Sequence, residues 1–172
     1  MSPKKAMVKP KERASQAASP KMLADALIMR ADLQRRITQL KERLLRNAKI
    51  QEGDAPAEDP ADLMRQLEDV TANLVSLIQR INRTNSTSML DDGMSISDAI
   101  ARRDGIRTRH QIYRELAAAA TITQGRTTRS EVKFRSTVSV KDVQRIADDL
   151  AREYRDLDTQ IQSINWTKQL AD

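Results

Sequence analysis

Residues 59–81 read Asp-Pro-Ala-Asp-Leu-Met-Arg-Gln-Leu-Glu-Asp-Val-Thr-Ala-Asn-Leu-Val-Ser-Leu-Ile-Gln-Arg-Ile. Leu63, Leu67, Val70, Leu74, Leu77 and Ile81 step alternately by four and three. That spacing places one apolar seam on a helix and sustains it for nearly three heptads. Asp59 followed by Pro60 is a start signal, a capping acid before the residue that best tolerates a missing N–H. The helix is expected over 60–85. Upstream, Gln51–Pro60 holds Gly53, two prolines and four acids, which no helix continues through. The preceding helix, expected over 20–49 from a Ser19-Pro20 cap with Leu33, Ile37, Leu40 and Leu44 on one stripe, therefore folds back antiparallel on it.

Downstream, Asp91-Asp92-Gly93 marks a turn. A third helix is expected over 95–120, with an imperfect stripe of Ala99, Arg103, Ile106, His110, Tyr113 and Ala117. A fourth is expected over 139–169. Ser139 and Asp142 form a capping box there, flanked by Val138 and Val143 as a hydrophobic staple. Its apolar face is Val143, Ile146, Leu150, Tyr154, Leu157, Ile161 and Ile164. Between these helices, residues 131–138 largely alternate apolar with polar. That predicts a short β-hairpin near 121–138, with Thr121-Ile122-Thr123 as partner strand. The fold class is mainly α: long antiparallel helical hairpins, in a four-helix bundle or coiled-coil-like assembly, with one short β-hairpin. Residues 21–172 form a single helical domain. The two helical hairpins look loosely alike, and no other internal repeat is evident.

The 172 residues contain no Cys, four Gly, five Pro and four aromatics. Disulfide frameworks, thiol catalysis and Cys-ligated zinc are excluded, and the cytoplasm is the default compartment. Too few turn and β-forming residues are present for a sandwich or barrel. No run of 18 apolar residues exists, so no membrane span is expected. Residues 1–20 carry a net +4 without a hydrophobic core, which predicts a disordered basic tail rather than a signal peptide.

No catalytic constellation, phosphate loop or metal-ligand spacing appears, and no cofactor or small-molecule substrate is implied. The one histidine, His110, falls on the inward stripe of the third helix. The chemistry-bearing feature is basic. Residues 102–135 hold nine basic and three acidic side chains, a net +6. Arg102, Arg103, Arg107, Arg109, Arg126, Arg129, Lys133 and Arg135 form a candidate interaction surface able to track a phosphate backbone. Only Tyr113 and Phe134 could stack on bases there. The competing reading is a solvated face or ion pairing across an interface with acidic segments such as 51–62, which carries Glu52, Asp54, Glu58, Asp59 and Asp62.

Several motifs resemble the septicolysin-like family of small bacterial proteins of unknown function. They are Arg30-Ala31-Asp32-Leu33-Gln34, the run Arg46–Asp54, Pro56-Ala57-Glu58-Asp59-Pro60, Ile81-Asn82-Arg83-Thr84-Asn85, Ala101-Arg102-Arg103-Asp104, Ser130-Glu131-Val132-Lys133 and Asn165-Trp166-Thr167. The resemblance covers about residues 22–170. It implies antiparallel helical hairpins with a short β-hairpin, a homo-oligomer such as a hexameric ring, and, from the family's name, a membrane-active cytolysin. It carries over no catalytic residue. The residues themselves favour a non-enzymatic, self-assembling protein with a structural or interaction role. Nucleic-acid binding through 102–135 and the tail is the alternative, followed by membrane lysis.

Overall fold

A computed structural model describes residues 21–122 and 135–172. Four helices follow in order: α1 (Leu23–Arg46), α2 (Pro60–Thr87), α3 (Ile96–Ala120) and α4 (Val140–Thr167). Each begins where a side chain or turn can satisfy its free N–H groups. Asp59 accepts the Ala61 N–H at 2.9 Å, with Pro60 at the first helical position. Ser95 Oγ accepts the Asp98 N–H at 3.0 Å and donates to the Asp98 carboxylate at 2.7 Å. Ser139 Oγ accepts the Asp142 N–H at 3.4 Å. The start of α1 differs from expectation. Its cap is Met22, whose N–H donates to Asp25 at 3.4 Å, while Ser19 and Pro20 lie outside the described residues.

The helices pair as two hairpins, α1 along α2 and α3 along α4. Between hairpins only α2 with α3 and α1 with α4 touch. All four helices therefore share a core at one end, and each hairpin extends from that junction as an arm. The junction core contains Leu23, Ala26, Leu77, Ile81, Leu90, Ile96, Ala99, Leu157, Ile161 and Leu170. A separate cluster of Leu40, Leu63 and Val70 closes the α1–α2 arm. The α2 seam packs as its spacing requires, with Leu63, Val70, Leu77 and Ile81 buried. On α4, Ala147 is buried where the sequence suggested Ile146, which is 36% exposed. The seven-residue step through Tyr154 and Ile161 selects 147 rather than 146.

No strand occurs among the described residues; two isolated β-bridges do, Met22 with Gln169 and Met89 with Ser95. Of the expected 121–138 hairpin, 123–134 lies outside the described residues. Its described edges are not strands. Thr121 instead closes α3, its N–H and Oγ1 both donating to the Ala117 carbonyl, and Ser136 Oγ turns back to the Val138 carbonyl at 2.6 Å.

The hairpins are two copies of one unit. Leu23 of α1 corresponds to Ile96 of α3, and Leu63 of α2 to Val143 of α4. Asp25, Ala26, Arg30, Arg36 and Glu42 recur as Asp98, Ala99, Arg103, Arg109 and Glu115. Asp62, Arg65, Asp69, Leu77, Ile81, Asn85 and Thr87 recur as Asp142, Arg145, Asp149, Leu157, Ile161, Asn165 and Thr167. The Asp62–Arg65 ion pair has its mate in Asp142–Arg145. The two bridges are equivalent as well. Leu23 N–H donates to the Lys168 carbonyl at 2.9 Å, and Ile96 N–H to the Ser88 carbonyl at 3.0 Å. Leu170 N–H donates to the Lys21 carbonyl at 3.0 Å, and Leu90 N–H to the Met94 carbonyl at 2.8 Å. The α2–α3 turn, with Gly93 at φ +82, thus does within the chain what its first and last described segments do across the junction. A pseudo-twofold relation between hairpins follows, matching the isologous contact of a symmetric dimer.

Candidate functional site

α3 carries five arginines and three acids, and α4 carries six acids and four basic residues. Packing one along the other brings opposite charges together. Arg102 donates to Glu153 at 2.8 Å. Arg103 reaches Asp158 at 3.0 Å through Nη1 and Asp104 at 3.1 Å through Nη2. Burial alone would lower the Arg103 pKa, but its hydrogen bonds to Asp104 and Asp158 outweigh this and hold it above the usual value. Arg107 sits 3.5 Å from Asp104.

The five described residues among the eight basic candidates are held in different ways. Arg102 and Arg103 tie α3 to α4, and Arg107 pairs along its own helix. Arg109 and Arg135 are exposed, with no carboxylate within 4 Å among the described residues. Arg126, Arg129 and Lys133 lie outside the described residues. Half-buried His110 lines a shallow groove with Arg107, Gln111, Arg114, Glu115 and Ala118, all on α3.

Within one chain, acids of the 51–62 segment are engaged elsewhere than with the basic cluster. Glu58 pairs with Arg43 of α1, whose Nε donates to it at 3.0 Å, and the Glu58 N–H donates to Asn47 at 3.1 Å. The hydrogen bond from Arg43 holds the Glu58 carboxyl below the usual carboxylate range. Asp59 caps α2, and Asp62 pairs with Arg65. These acids organise the end of one arm, whereas Arg102 and Arg103 lie in the other, so the acids of α4 reach them first.

The junction holds a second polar group that periodicity alone did not single out. Thr84 and Ser88 continue the α2 seam and are both 1% exposed. Thr84 Oγ1 donates to the Arg80 carbonyl and accepts the Ala171 N–H, each at 2.9 Å. Arg80 Nε donates to the Ala171 carbonyl at 2.9 Å, and Arg83 donates to the Asp172 carbonyl. This set clamps the last residues onto α2. Its signal in the sequence is a hydroxyl side chain at the next seam position after Ile81. Among the described residues no cluster of His, Asp or Glu could hold a metal ion, and no helix is long and apolar enough to cross a membrane.

Residues 30–170 match a family of unknown function, DUF6847. The chain belongs to that family. A functionally unknown conserved protein from Corynebacterium diphtheriae has a similar crystal structure, with TM-score 0.81 and 42% identity over 87% of this chain and 97% of that one. None of the curated proteins matches. These findings overturn the septicolysin-like assignment, so the hexameric ring and the cytolysin reading lose the resemblance they were drawn from. The resemblance rested on residues with structural work in a helical hairpin: Asn47 ends α1, Asp59-Pro60 starts α2, and Arg103 sits in a seam. Such residues report architecture rather than activity.

Proposed function

We propose that this protein is a non-enzymatic cytoplasmic scaffold that associates with a second copy of itself through the free ends of its two arms. The observation that supports this reading is where its exposed apolar side chains sit. Of twelve exposed large apolar residues among those described, eight lie near the arm ends. Leu45, Ile50 and Met64 belong to the α1–α2 arm, and Ile112, Leu116, Ile122, Val138 and Ile146 to the α3–α4 arm. Leu116, Ile122 and Val138 line one groove of about 440 Å³ with Ala119 and Ala120. Among the described residues, an arm only one hairpin thick has no third element to cover such a patch, and exposed apolar patches mark association sites. A twofold contact pairs the same patch on two copies.

The test is light scattering at micromolar concentration on the chain and on the double variant Leu116→Glu, Val138→Glu. The chain should run as an oligomer and the variant as a monomer of unchanged helicity. A monomeric parent chain defeats the proposal.

A further inference from the structure

The duplication isolates one group that, among the described residues, lacks the partners of its counterpart. Arg30 in α1 and Arg103 in α3 occupy the same seam position, seven residues after Leu23 and Ile96, and both are half-buried. Arg103 Nε–H donates to Asp104 at 3.3 Å, and its Nη groups reach Asp104 and Asp158. The positions equivalent to those two acids hold Ala31 and Ile78. Arg30 correspondingly makes no ion pair with a described carboxylate, and its Nε is buried without a hydrogen-bond partner. The nitrogen left unsatisfied in one hairpin is the one that the neighbouring acid satisfies in the other.

A guanidinium presents a planar fork of donors that matches carboxylate and phosphate oxygens, and a buried donor without an acceptor is costly to retain. Ala31 in place of Asp104 removes the acceptor beside Nε, and the apolar Ile78 in place of Asp158 removes the second carboxylate. We propose that Arg30 is the receptor of a small oxyanion, a carboxylate or a phosphate, which replaces the two acids that hold Arg103. The site is independent of the arm-end association.

Thermal unfolding of the full chain tests it. Inorganic phosphate and acetate are titrated separately against chloride at constant ionic strength, so that the two arms identify which oxyanion binds. A saturable rise in Tm of about 3–5 °C is expected at ten times the dissociation constant. Arg30→Gln should abolish the rise. Ala31→Asp, an exposed position on α1, should restore an internal acceptor, raise the Tm without added anion, and remove most of the anion's effect. A response to either anion that both variants suppress supports the site. No saturable response in the parent chain, or the same response in Ala31→Asp, overturns it. Ala31→Asp keeps the test decisive if Arg30→Gln does not fold.

Discussion

Leu23→Ala and Ile96→Ala should destabilise the protein by nearly equal amounts, although one residue opens α1 and the other opens α3. Both side chains are fully buried at 0% exposure, both belong to the junction core, and both backbone N–H groups make the equivalent bridge bond. Each substitution removes three carbons, worth about 2.4 kcal/mol at about 0.8 kcal/mol per buried methylene. Partial collapse of the cavity adds to that, giving about 3–4 kcal/mol, within the range of about 2–5 kcal/mol typical of such truncations. The corresponding fall in Tm is about 6–16 °C. Urea unfolding followed by circular dichroism measures the free energies, and the two values should agree within about 1 kcal/mol. Because both residues belong to one cluster, the double variant should deviate from additivity by at least about 0.5 kcal/mol. A cost near 1 kcal/mol for Leu23→Ala beside a full cost for Ile96→Ala would refute the pseudo-twofold junction. It would mean that the start of α1 only rests against a core built by the other three helices.

Two further outcomes follow from the polar contacts. Thr84→Val removes the acceptor of the Ala171 N–H inside a buried site, so it should cost about 1–3 kcal/mol in urea unfolding and speed hydrogen exchange at Leu170 and Ala171; unchanged exchange would show that the last residues are held by other contacts. The Glu58 carboxyl is held below its usual range by Arg43, so its stabilising contribution is present above the ordinary carboxylate range and is lost as pH falls through the depressed value. The stability gap between the parent chain and Glu58→Gln should therefore be constant near neutrality and close in acid, and a gap independent of pH would show that the pair contributes nothing.

Helix placement was legible because its signals are local. Asp59-Pro60, Ser95 and Ser139 cap the helices they precede, and the seam of Leu63, Val70, Leu77 and Ile81 is buried as its spacing demands. The duplication was harder to read. Few residues outside caps and seams recur, and the α1–α3 and α2–α4 correspondences do not share one offset, because the connection after α3 is longer than the one after α1. A search at a single period therefore aligns one helix pair and misses the other. The basic segment was only partly legible for a different reason. Charge counted along α3 takes no account of α4, whose acids are remote in sequence and adjacent in space.

The sequence by itself determined the four helices, the starts of α2, α3 and α4, most of the faces they bury and the absence of cysteine chemistry. Each of these depends on side chains within about one turn of one another, or on composition alone. Only the tertiary structure decided that the hairpins are equivalent and join at one end. It also decided that Arg102 and Arg103 spend their charge between helices and that Arg30 has no such partner among the described residues. Those properties depend on which distant residues meet. Arg30 and Arg103 hold the same seam position, and what distinguishes them is Asp104 beside Arg103 in sequence and Asp158, which reaches it from α4.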